Sequence, residues 1–112
     1  MHLLRNVQRG RVKLEIPFLA ENGNLVPFKV SVESPMTADN YVRSIYILSE
    51  KNPRPVIAKM SFTPKSGRAE LTTRIRLATS QRVVAMAEMS DGALWSDTRE
   101  VVVTETACLD AT

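Results

Sequence analysis

Cysteine occurs once in the 112 residues, at Cys108, and histidine once, at His2. A lone cysteine excludes a disulfide within the chain, and a lone histidine excludes a histidine-rich metal site. His2 stands in the leading segment, so a cysteine–histidine nucleophile pair inside the fold is excluded too. No apolar run approaches the ~20 residues of a membrane-spanning helix. The four glycines form no phosphate-cradling cluster, and no metal-ligand spacing occurs. Aromatic residues make up only 5%, and the 15 Lys and Arg are interspersed with 12 Asp and Glu for a net charge of +3. Nucleic-acid binders gather bases on one face with stacking aromatics between them, and this distribution argues against that class. Neither a membrane nor a cofactor is expected, and most enzyme classes lose their usual chemistry.

What is present is alternation. The length suits a single domain. From residue 12 onward apolar and polar residues alternate with period two, and no segment shows a helical stripe. Val12, Leu14 and Ile16 form one such run; Val26, Phe28, Val30 and Val32 form the next, after a turn at Asn22-Gly23 that predicts positive φ. Pro27 lacks a ladder donor and marks a strand start or an edge. Tyr41 to Glu50 is apolar on both faces, as a central strand is. Val56, Ala58, Met60 and Phe62 alternate next, followed by Ala69, Leu71, Thr73, Ile75 and Leu77. Gln81 to Ser90 ends in the hairpin turn Asp91-Gly92. A last strand is expected in two pieces, interrupted around Ser96-Asp97-Thr98.

This spacing predicts an all-β fold, an immunoglobulin-like antiparallel β-sandwich of about seven strands. The expected core includes Val30, Ile45, Ile47, Met60, Leu71, Ile75, Val83, Ala85 and Val103. Residues 1–11, with Arg5, Arg9 and Arg11 and no acid, read as a basic tail or leader remnant. Leu3-Leu4 is too short for the apolar stretch of a secretory signal. Residues 12–104 form the sandwich, and residues 105–112 form a C-terminal arm carrying Cys108. The two-sided strands around Tyr46 and Val84 offer more apolar faces than one interior needs, which predicts association through strand surface, with itself or a partner.

Cys108 is the residue whose position points to chemistry. Terminal segments beyond a sheet tend to be accessible, although Glu105 and Asp110 favour the thiol over the thiolate. Glu88 and Asp91 are the carboxylate pair a glycosidase reading would need, but a strand end and its turn commonly carry solvated acids.

Several stretches together resemble one family. They are Ala20-Glu-Asn-Gly-Asn-Leu-Val-Pro-Phe28, Ser34-Pro-Met36, Asn52-Pro-Arg-Pro55, Thr73-Arg-Ile-Arg-Leu77, Ser80-Gln81 and Val84-Ala-Met-Ala-Glu-Met-Ser-Asp-Gly92. In order and spacing they are similar to SoxY, the sulfur carrier of bacterial thiosulfate oxidation. The resemblance implies a periplasmic, non-catalytic carrier that pairs with a SoxZ-like protein. Its cysteine would hold pathway intermediates covalently and present them to a c-type cytochrome, a hydrolase and a dehydrogenase. In register with that family the cargo residue is Cys108. Thr106, Ala107, Leu109 and Asp110 stand in the arm where the family places glycines, which implies a stiffer arm. The alternative is a SoxY-like binding module without cargo, or the front half of a fused SoxY–SoxZ carrier serving another periplasmic oxidation system.

Overall fold

The computed structural model describes residues 6–52 and 54–104. Nine strands form two sheets, with one turn of 3-10 helix at Pro64–Ser66 and no α-helix among the described residues. The strands are β1 (Val7–Arg9), β2 (Val12–Glu15), β3 (Leu19–Ala20), β4 (Val26–Val32), β5 (Val42–Ser49), β6 (Val56–Ser61), β7 (Ala69–Ile75), β8 (Gln81–Met89) and β9 (Leu94–Val103). The larger sheet runs β1-β9-β8-β5-β6, with β3 also on β9; the smaller runs β2-β4-β7. The result is the expected immunoglobulin-like sandwich, antiparallel except where β1 and β3 lie parallel to β9.

Period-two alternation decides which residues enter the interior. In β4, Val26, Phe28, Val30 and Val32 are buried and Pro27 and Lys29 are exposed. Pro27 pairs with Arg74 of β7 but lies beyond the reach of β2, whose last residue, Glu15, stands opposite Lys29, so its missing donor interrupts no ladder with β2. In β5 and β8, Ile45, Ile47, Val83, Ala85 and Ala87 fill the core without exposure. Their alternates Tyr46, Leu48, Val84 and Met86 pair with one another on the outer face.

The structure departs from the sequence reading in six places, the half-buried Leu71 of β7 among them. Met60 is 42% exposed and not in the core. It pairs with Ile45 and so lies on the core-facing side, but β6 is an edge strand that the three-stranded sheet leaves uncovered. Asn22 and Gly23 have ordinary negative-φ backbone: the positive-φ glycines are Gly10, Gly67 and Gly92. The turn closes instead through the Asn22 side chain, which accepts the Asn24 N–H at 2.9 Å, and through Leu25 N–H to Asn22 O at 3.3 Å. β9 runs unbroken through Ser96, Asp97 and Thr98, because pairing with β8 outweighs their weak strand propensity. Within the basic segment 1–11, Val7–Arg9 is strand rather than tail, paired in register with Leu94–Ser96. The outer face at Tyr46 and Val84 is not open: Leu48 and Met86 are buried by their neighbours, and Lys59 lies 5.3 Å over the Tyr46 ring.

The N-terminal chain crosses between the sheets. β1 lies on β9, β2 joins the smaller sheet, and β3 returns to β9. Asp97 ties the crossing down, its Oδ2 accepting the Leu14 N–H at 2.8 Å and its Oδ1 meeting Arg99 at 2.9 Å. The bend falls at Gly10, with φ of 123°, directly under the Trp95 ring, over which Arg11 also stacks at 5.4 Å. An added Cβ would meet Trp95 at 3.5 Å, an ordinary contact, so only backbone strain opposes it. Gly10→Ala is therefore expected to cost about 1–3 kcal/mol, read as a lower thermal midpoint.

Candidate functional site

β9 ends at Val103, and the backbone there is held on both sides. Val103 N–H donates to Ser80 Oγ at 2.8 Å, and Thr104 N–H donates to Ala20 O at 3.0 Å. Val102 N–H donates to Phe18 O at 2.7 Å. The last strand is thus fixed up to Thr104, and an arm that starts beyond it has a rigid root.

The next residue, Gln81, builds the floor of this end. Its side chain is buried, with Oε1 accepting the Ser49 hydroxyl and the Lys51 N–H at 3.0 Å. Its Nε2 donates to Thr79 O at 2.9 Å and to Asn52 Oδ1 at 3.4 Å. Asn52 in turn donates to Arg76 O at 3.2 Å, and Leu77 N–H donates to Gly23 O at 2.7 Å. Sequence stretches far apart in the chain therefore converge on the arm root: Ala20 to Gly23, Asn52, Arg76-Leu77 and Ser80-Gln81. The structure assigns each a role in holding one end of the sandwich.

The surface at the root is apolar on one side and charged on the other. Phe18 is 66% exposed and Leu19 54%, and Leu19 pairs with the partly exposed Val102. These three were not picked out by the sequence reading, and the signal for them is two adjacent large apolar residues after Pro17 with no alternation. Beyond Val102 a groove of about 300 Å³ is lined by Glu50, Lys51, Arg82 and Glu100, with Arg82 Nε 3.4 Å from Glu50. Its charges neutralise one another.

Cys108, with Thr106, Ala107, Leu109 and Asp110, lies outside the described residues. Glu88 and Asp91 do not form a carboxylate pair across a cleft. Glu88 is engaged with Arg43 at 3.7 Å and with the Tyr46 hydroxyl at 3.5 Å, while Asp91 accepts the Ala93 N–H within its own turn. Among the described residues no three His, Cys, Asp or Glu side chains gather as a metal-ligand group. What this end offers chemically is a rigid anchor for a tethered group.

Comparison with known proteins gives two findings. A family model, "Sulfur oxidation protein SoxY", matches residues 4–108. Solved structures of similar shape include a superoxide reductase (neelaredoxin) from Ignicoccus hospitalis, 23% identical with a TM-score of 0.72, covering 84% of this chain and 80% of that one. A putative superoxide reductase from Thermotoga maritima is 18% identical with a TM-score of 0.75, covering 94% and 99%. At these identities the likeness is one of fold. A search of curated proteins finds no significant match.

Proposed function

Because the chain belongs to the SoxY family of sulfur oxidation proteins, we propose that it is a covalent carrier of sulfur-oxidation intermediates, with Cys108 as the attachment residue. The observation that carries this reading is that the family match ends at Cys108, four residues past Thr104, whose N–H is held by Ala20 O. Four residues span about 14 Å at full extension. A partner that takes the sulfur must therefore come up to the root itself, where Phe18, Leu19 and Val102 are exposed.

The protein is not the catalyst in this scheme. The Cys108 thiol and thiosulfate join through a new S–S bond, giving a Cys108-S-S-sulfonate; the thiol proton is released and two electrons pass to a c-type cytochrome. A hydrolase then adds water across the terminal S–S bond, releasing sulfate and leaving a persulfide on Cys108, which a dehydrogenase oxidises further. A SoxZ-like partner and a periplasmic location complete the reading.

Intact-protein mass spectrometry tests it. After incubation with thiosulfate and the cognate cytochrome, the wild-type chain gains a thiosulfonate adduct that reductant removes. Cys108→Ser gains none. A wild-type chain without adduct, beside a SoxY control that acquires one, overturns the carrier role and leaves a cargo-free binding module.

A further inference from the structure

The two lateral sides of the sandwich differ. On one, β1 and β3 pair with β9 while β2 packs beside them, and the crossing chain closes the gap between the sheets. On the other, among the described residues β6 and β7 are the free edges of their sheets, and both line a groove of about 700 Å³. An unpaired edge presents a row of unbonded N–H and C=O groups, which proteins usually blunt with charge or cover.

Here the blunting is weak. β6 reads Val-Ile-Ala-Lys-Met-Ser, and its one charge, Lys59, is drawn onto the outer face over Tyr46. Val56 is 40% exposed and Met60 42%. At the end of the groove nearer the arm root stand Arg54, Arg74 and Arg76. None of the three has a carboxylate within ion-pair distance among the described residues, whereas Arg43, Arg68, Arg82 and Arg99 all do. An apolar edge thus runs into a positively charged mouth.

We propose that the β6/β7 side docks an extended segment of a second protein, apolar along β6 and carrying Asp or Glu where it meets Arg54, Arg74 and Arg76. Backbone pairing with β6 supplies the affinity, and the acids set direction and choice of partner. The groove, at about 700 Å³, has room for a length of chain. A second copy of this chain fits poorly, because residues 54–61 of the same edge contain no Asp or Glu to meet the arginines. Nothing in this proposal uses Cys108, so it stands or falls separately from sulfur carriage.

The probe is an eight-residue peptide of three acids followed by alternating Val and Thr, made in both chain directions and labelled for fluorescence anisotropy. One direction is expected to bind saturably, to shift backbone amide resonances only at residues 54–60 and 72–76, and to weaken with added salt. The double variant R74E/R76E is expected to weaken binding at least tenfold, and Arg54→Glu, on a loop and neutral to folding, several-fold. A peptide with Lys in place of the acids is expected not to bind. The proposal is overturned by absence of saturable binding in both directions, by binding indifferent to the arginine reversals, or by shifts centred on Phe18, Leu19 and Val102. A concentration-dependent dimer in sedimentation that Met60→Lys abolishes would overturn it in favour of a second copy.

Discussion

Ile47→Ala is expected to lower the unfolding free energy by about 4 kcal/mol, near the upper end of the range for buried aliphatic truncations. Ile47 has no exposed surface and sits in register between Ala58 on β6 and Ala85 on β8. Alanines on both flanks have no side-chain atoms to move into the space, so the cavity stays open. For a domain of this size the thermal midpoint should fall by roughly 15 °C. Met60→Ala is the internal control: it removes a comparable apolar volume from the same face one pair away, yet should cost under about 1 kcal/mol because water already reaches it. Equal losses from the two variants in urea titrations would show that β6 is covered as deeply as β5.

Gln81→Leu should be the most damaging polar substitution, at about 2–4 kcal/mol. The volume is nearly unchanged, so packing is not the cause. The leucine leaves the buried Ser49 hydroxyl and the Lys51 N–H without their acceptor, and each stranded group costs about 1–3 kcal/mol. The loss is local before it is global. Amide hydrogen exchange should quicken first at Lys51 and Asn52, while residues of β4 and β7 keep their protection until global unfolding. Uniform loss of protection across both sheets would contradict this.

The fold was largely legible in the sequence because alternation states which face of a strand is apolar. Val26 to Val32 and Gln81 to Met89 could be read residue by residue for that reason. Alternation does not state what covers a face. Met60 alternates as regularly as Val30, yet it lies on an edge strand that the smaller sheet leaves uncovered. Leu71, expected in the core, is half-buried on the edge strand β7 for the same reason. The short strands β1 and β3 were invisible because three and two residues are too few to show a period. At the candidate site, Cys108 was found by register with a family, while Ser80 and Gln81 stood in a motif with no assigned task. Their task is hydrogen bonding to residues more than twenty positions away, which local pattern cannot encode.

The crossing N-terminal chain bears on how the molecule comes to be folded at all. Ser96 Oγ donates to Gln8 O, 88 residues distant, and β9 is the shared neighbour of β1, β3 and β8. Until β9 has been synthesised, β1 and β3 have no partner, β8 lacks one edge, and Leu14 lacks its acceptor on Asp97. Closure of such distant loops must precede the contacts that reward it, which places folding in the slow, millisecond-to-second class and makes it all-or-none. The strand leading to the arm is therefore the one on which β1 and β3 depend for their place in the sandwich.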